Sequence, residues 1–219
     1  MSEIGAVVFD LDGLLLQSEE IWDEVRRELA AAAGRPWPAD ATRAMMGMSA
    51  PEWSRYLRDV VGLPGTPERI SEQVVAGLLE RYARRLPWIA GAREAVERIA
   101  AYWPLALATS SNREIVDVVL EAGALHRYFA VAVSSEEVAH GKPAPDVYLE
   151  AAGRLAMPPA HCAAVEDSSN GLRAAAAASM RVIAIPNAAH PPEPDALALA
   201  DVVLDSLDEL TPAAIEPRG

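Results

Sequence analysis

Cysteine is almost missing from this 219-residue chain. Cys162 stands alone, which excludes an intramolecular disulfide and any zinc cluster built on cysteines. Lysine is as scarce: of 19 basic residues, 18 are arginine and one, Lys142, is lysine. The bias itself says little about chemistry, but it marks the one position that keeps a compact point charge on a flexible stem instead of a guanidinium fork. Positive charge is also short overall, with 19 Lys and Arg against 32 Asp and Glu and a formal net charge of −13. Such a chain repels phosphate backbones and anionic headgroups, so no nucleic-acid and no membrane partner is expected. No apolar run approaches the ~20 residues that cross a bilayer. No basic segment precedes the short apolar run near the N-terminus, as a secretory signal requires. A cytoplasmic protein is the expectation. With 51% apolar and 23% charged residues, the chain can bury a core large enough for one α/β domain and a smaller companion.

The run Ile4-Gly5-Ala6-Val7-Val8-Phe9 is rich in β-formers and ends abruptly in Asp10-Leu11-Asp12-Gly13, the pattern of a buried parallel strand opening into a polar loop. Similar runs recur at Leu105–Ala108, Phe129–Val133, Cys162–Val165, Val182–Ile185 and Val202–Leu204. Helical stretches separate the later ones, at Glu114–Glu121, Asp146–Ala156 and Leu172–Ala178. Strand and helix thus alternate from about residue 100, which predicts an α/β fold with a doubly wound parallel sheet. Residues 17–85 break the alternation. Apolar positions there fall at helical spacing in Trp22–Leu29, Trp53–Val61 and Val74–Leu86, with turns at Pro36-Trp37-Pro38 and Gly62–Pro67. A structureless loop of roughly seventy residues is implausible, so an all-helical cap domain over 17–86 is expected, inserted into a core of 1–16 and 87–219. Thr211–Gly219 reads as a frayed tail.

Ligands of an open parallel sheet bind at the carboxyl ends of its strands. Those ends carry Asp10 and Asp12, then Thr109, Ser110, Ser111 and Asn112, then Glu166 and Asp167, with Lys142 in the nearby Gly141-Lys142-Pro143 loop. Carboxylates gathered in this way suit a hard cation such as Mg²⁺, which takes oxygen ligands and a substrate phosphate. Asp10, Asp167 and a backbone carbonyl near Asp12 would supply the protein's share. Thr109 and its neighbouring N–H groups could hold phosphate oxygens. A free carboxylate in that surround can attack phosphorus, while a second one two residues on shuttles the proton.

Phe9-Asp10-Leu11-Asp12-Gly13-Leu14, the apolar run ending in Thr109, Gly141-Lys142-Pro143-Ala144-Pro145-Asp146 and Val165-Glu166-Asp167-Ser168 resemble the four ordered motifs of the haloacid dehalogenase superfamily. Within it the chain resembles the branch with a helical cap after the first strand, which includes sugar-phosphate phosphatases of the 2-deoxyglucose 6-phosphate type and β-phosphoglucomutase. The resemblance covers nearly the whole chain. It implies a Rossmann-like core, Asp10 as nucleophile, Asp12 as general acid/base and Thr109, Ser110 and Lys142 as phosphate holders. Asp10, Asp12, Asp167 and an assisting Glu166 become the metal set. It also implies a small-molecule phosphate ester as substrate and Mg²⁺ as cofactor; a monomer is expected. Glu19 at the domain junction, Ser111 and Asn112 are candidate substrate contacts, although Ser111 and Asn112 suit the cap of the next helix better. The cap loop Arg43–Ala50 is expected to set the substrate; Met45, Met46 and Met48 read as packing, with Met48 in the loop that in relatives faces the site.

Departures narrow the chemistry. Asp12 is absent from metal-free dehalogenases of the family, and the cap lysine of phosphonatases has no counterpart when Lys142 is the only lysine. β-Phosphoglucomutases carry a cap histidine and a cap arginine where this chain has Trp22 and Ala50. A phosphatase is therefore expected ahead of a hexose-phosphate mutase. A non-catalytic phospho-acceptor module is the distant alternative, disfavoured by the cap and by Asp12. Trp22 and Trp53 read as cap core, Cys162 as inert packing, and the four histidines fall outside every motif.

Overall fold

The computed structural model describes residues 3–45 and 48–216. At its centre lies β1 (Ala6–Phe9), every residue of which is buried. It runs parallel to β2 (Leu105–Thr109) on one side and β4 (Cys162–Glu166) on the other. With β3 (Phe129–Ser134), β5 (Arg181–Ala184) and β6 (Val202–Val203), they form one six-stranded parallel sheet in the order β3-β2-β1-β4-β5-β6. Strands covered on both faces read as continuous apolar runs, which is why they were visible in the sequence.

The two faces differ in bulk. Val7, Phe9, Leu105, Leu107 and Val165 point to one side and pack against α5 (Ala92–Ala100) and α6 (Arg113–Ala122). The alternate residues, among them Ala6, Ala106, Ala108 and Ala164, face α7 (Asp146–Arg154) and α8 (Ser169–Ala177). The small side chains on that face allow these helices a close approach. The short α9 (Pro194–Leu197) and α10 (Pro212–Ile215) complete the core.

Between β1 and β2 the described residues form no strand of the sheet but four helices, α1 (Glu19–Ala32), α2 (Ala41–Met45), α3 (Ala50–Tyr56) and α4 (Pro67–Tyr82), before α5 returns the chain to the sheet. α3 runs on as a π-helical turn over Leu57–Val61, closed by Gly62 at φ 83°. Trp53, Leu57, Ile70, Val74 and Leu78 form the interior of this cap. Its two connections to the core pair with each other. Gln17 N donates to Pro87 O at 2.7 Å and Ile89 N to Leu15 O at 3.0 Å, flanking an antiparallel bridge from Leu16 to Trp88.

Two sequence readings need correction. α5 had not been singled out, because its nine residues follow directly on the linker. The supposed frayed tail is anchored: Ile215 is fully buried, and Arg98 Nε and Nη2 donate to Leu210 O and Leu207 O at 2.8 and 2.7 Å just before it. Residues 217–219 lie outside the described residues, as do Met46 and Gly47 of the cap loop.

Candidate active site

The register of the sheet decides which polar residues meet. Phe9 lies opposite Leu107 on β2 and Val165 on β4, so Asp10, one step on, comes level with Ala108 and Glu166. Lys142 joins them from its loop. Its Nζ, almost wholly buried, donates to Asp10 Oδ1 at 2.6 Å, to Glu166 Oε1 at 2.5 Å and to Ala108 O at 3.1 Å. Three acceptors at this spacing fit an ammonium and leave no room for a guanidinium fork. This is a physical reason for lysine at this position.

Glu166 is fully engaged. Oε1 also accepts from Tyr148 Oη at 2.7 Å, and Oε2 accepts from Asp167 N, Ser168 N and Ser168 Oγ at 3.0–3.2 Å. Asp167 is different: its Oδ1 is buried with no hydrogen-bond partner among the described residues. Donor oxygens of Asp10, Glu166 and Asp167 lie within 4.8 Å of one another. A buried, carboxylate-only donor set with one oxygen unpartnered fits a hard divalent cation. Gly13 is required by the same crowding. It sits at φ 83°, and a Cβ there would come within 2.2 Å of Asp167 Oδ2.

Burial and charge crowding set the protonation. The Asp10 carboxyl is raised to about 8, chiefly by burial, with Lys142 opposing the rise and Glu166 and Asp12 adding to it. Asp167 is driven well above the carboxylate range by burial, then by Glu166, Asp10 and Glu19. Burial opposes the charge on Lys142, but Asp10 and Glu166 outweigh it and hold the ammonium above its ordinary value.

Asp12 faces four donors. Oδ1 accepts from Ser18 Oγ at 2.6 Å and Trp22 Nε1 at 3.3 Å; Oδ2 accepts from Ser111 Oγ at 2.6 Å and Thr109 Oγ1 at 3.3 Å. Ser18 and Trp22 reach it from the cap side, so the indole, read as cap core, also touches the second acid. Glu19, at the start of α1, accepts from Asn187 Nδ2 of the core at 3.0 Å. Its pKa is raised by burial against the pull of His190.

A cavity of about 540 Å³ opens over these groups and is lined by Asp10, Asp12, Glu19, Thr109, Ser110, Ser111, Lys142 and Asp167. Arg43 and Met45 face it from α2, which takes up the first part of the segment expected as a cap loop, and Met48 from the stretch before α3. Asn112 does not: its amide donates to Glu136 Oε1 and Ser71 Oγ, in a separate hollow between α3, α4 and α6. Arg26, Asn187 and His190 were missed by sequence reasoning, since none lies in a motif. Arg26 comes to the site on α1 of the cap, and Asn187 and His190 on the segment that follows β5 in the core.

A doubly wound sheet with a capped, acid-lined cavity at its strand ends, holding one buried ammonium, defines an enzyme fold built to take an anionic ligand. Comparison with known proteins makes the class specific. Residues 4–179 match the model of the haloacid dehalogenase-like hydrolases. Hexitol phosphatase B of Escherichia coli (strain K12) is 35% identical over 215 residues, 95% of each chain. The phosphorylated carbohydrates phosphatase of Thermotoga maritima is 32% identical over 179 residues, 81% of this chain and 83% of that one. Among solved structures, CbbY from Rhodobacter sphaeroides in complex with phosphate superposes with a TM-score of 0.86 at 30% identity, covering 97% and 99% of the two chains. The chain belongs to the haloacid dehalogenase-like hydrolase family.

Proposed function

We propose that this hydrolase is a Mg²⁺-dependent phosphatase that cleaves a small phosphomonoester, a sugar phosphate foremost, through a phosphoryl group carried on Asp10. The observation that carries the reading is the buried Lys142 ammonium between Asp10 and Glu166, beside the unpartnered Asp167 oxygen. The names of the E. coli and T. maritima relatives, a hexitol phosphatase and a phosphatase of phosphorylated carbohydrates, support a sugar phosphate.

Lys142 holds Asp10 Oδ1, leaving Oδ2 to attack phosphorus. An O–P bond forms as the bond from phosphorus to the ester oxygen breaks, and the leaving alkoxide takes a proton from Asp12. A water then attacks the aspartyl phosphate, Asp12 takes its proton, and inorganic phosphate departs with Asp10 restored. Lys142 and Thr109, with Ser110, hold the phosphate oxygens. A divalent cation on Asp10 and Asp167, with a backbone carbonyl near Asp12, would offset the crowded carboxylates and the charge on the transferring group. Glu166, its oxygens already taken, is assigned to fixing Lys142.

The same reading divides the chain into a core of 1–16 and 87–219 and a cap of 17–86. The paired linkers at Leu16–Ser18 and Leu86–Gly91 act as hinges, and closure excludes bulk water. It takes the protein as a cytoplasmic monomer. The test is phosphate release from a panel of sugar and other small phosphate esters, with Mg²⁺ and with EDTA, beside Asp10→Asn. Turnover that needs Mg²⁺ and vanishes in the variant is expected. Conversion of a hexose 1-phosphate to the 6-phosphate without free phosphate would make the chain a mutase instead.

A further inference from the structure

Arg26 is the one cavity-lining arginine that is buried yet unpaired. It is 9% exposed, and its Nε is sealed off with no partner. Among the described residues the guanidinium makes no ion pair or hydrogen bond. Its contacts are aromatic: Cζ lies 4.8 Å from the Trp22 ring centroid and 5.0 Å from that of Trp53. The two centroids are themselves 5.8 Å apart, so both indoles lie to the same side and the other side of the guanidinium is left to the cavity it lines.

Cation–π contact recovers only part of the cost of burying a guanidinium. The neighbouring acids do not supply the rest. Asp23 is taken by Arg27 and Thr42, Glu19 accepts from Asn187, and Asp12 is held by its four donors. Arg43, exposed and also without an ion pair among the described residues, adds a second positive charge to the same wall. A planar fork that lines the cavity without a directly bonded counter-ion, its charge favoured only through space by Asp23 and Asp12, is matched to an oxyanion.

We propose that Arg26 is a specificity residue that binds a second oxyanion, carboxylate or phosphate, at the end of the substrate remote from the ester Asp10 attacks. This rests on the phosphatase reading and narrows it to sugar-acid phosphates and bisphosphates over neutral polyol phosphates. Trp22 links the two ends, its indole nitrogen on Asp12 and its ring beside Arg26.

The test measures kcat/KM for three matched six-carbon esters: a polyol 6-phosphate, an aldonate 6-phosphate and a polyol 1,6-bisphosphate. Wild type should favour at least one anionic-ended ester over the polyol ester by ~10-fold or more, and the ranking of the two identifies the oxyanion. Arg26→Gln should lower kcat/KM for that ester ~10-fold more than for the polyol ester, chiefly through KM. Arg26→Lys, which keeps the charge without the fork, should fall between. The wild-type ratio needs no variant to fold. Turnover of the polyol ester as good as that of both anionic ones, or an equal loss on all three in Arg26→Gln, overturns the assignment and leaves the phosphatase intact. Release from none of them, nor from the wider panel, overturns the phosphatase reading and this one with it.

Discussion

Replacing Lys142 with methionine removes the only positive charge hydrogen-bonded to the carboxylate cluster while keeping the length of the side chain. At an effective dielectric of 20, each carboxylate contact at 2.5–2.6 Å carries ~6 kcal/mol of gross attraction. Most of that is cancelled by the desolvation that the ammonium no longer suffers. What remains is the cost of leaving buried acids without their partner, ~3–5 kcal/mol for such a site. In a chain of this size that is a fall of ~6–20 °C in Tm, read by calorimetry on the metal-free protein. Activity should fail independently of stability. Lys142 lowers the pKa of Asp10, so its loss leaves the nucleophile protonated and the phosphate without a holder. Lys142→Arg should recover charge but little activity, because three acceptors fitted to one nitrogen do not fit a fork. A Lys142→Met protein that melts within ~2 °C of wild type and keeps its turnover would refute the reasoning.

Asp12→Asn should lower phosphate release ~10²–10⁴-fold, while an aryl phosphate, whose leaving group needs no proton, should lose less in its first step. In the metal-free protein, Asp10 and Asp167 have pKa values raised above their unfolded ones, so the folded state binds more protons and stability falls as pH rises from about 4 to about 8. The gain in Tm on adding Mg²⁺ should therefore be larger near pH 8 than near pH 5; a gain that shrinks with pH would contradict the carboxylate cluster as the cation site. Gly13→Ala, strained at φ 83° and 2.2 Å from Asp167 Oδ2, should cost ~1–3 kcal/mol and weaken Mg²⁺ affinity measured by calorimetric titration.

Asp10, Thr109, Lys142 and Asp167 were legible because a strand buried on both faces announces its own end, and every residue just past such an end in a parallel sheet shares one rim. Glu166 was legible as an acid of that rim but not in its contacts, since the calls on its oxygens come from Tyr148 and from its own following turn. Arg26, Asn187 and His190 were not legible. No local pattern in α1 separates an arginine facing a cavity from one facing solvent, and Asn187 and His190 lie three and six residues past the end of β5 in a segment that carries no motif. The tail was misread because the short Pro212-Ala213-Ala214-Ile215 stretch carries no periodic signal, and only the fold shows Ile215 buried in the core. α1, α3 and α4 were recognisable as helices from spacing alone, α2 (Ala41–Met45) reads as part of a loop, and the π-helical turn at Leu57–Val61 carries no signal distinct from the helix it extends.

The account turns on Asp10 as phosphoryl acceptor, and the most direct measurement is the mass of peptides from acid-quenched Asp12→Asn enzyme after mixing with an aryl phosphate and Mg²⁺. Without the base that activates water, the phospho-form should accumulate, and the peptide containing Asp10 should gain the mass of one phosphoryl group, with none on Asp10→Asn. A phosphoryl group found on another residue, or rapid turnover with no phosphorylated peptide at any time after mixing, would contradict it.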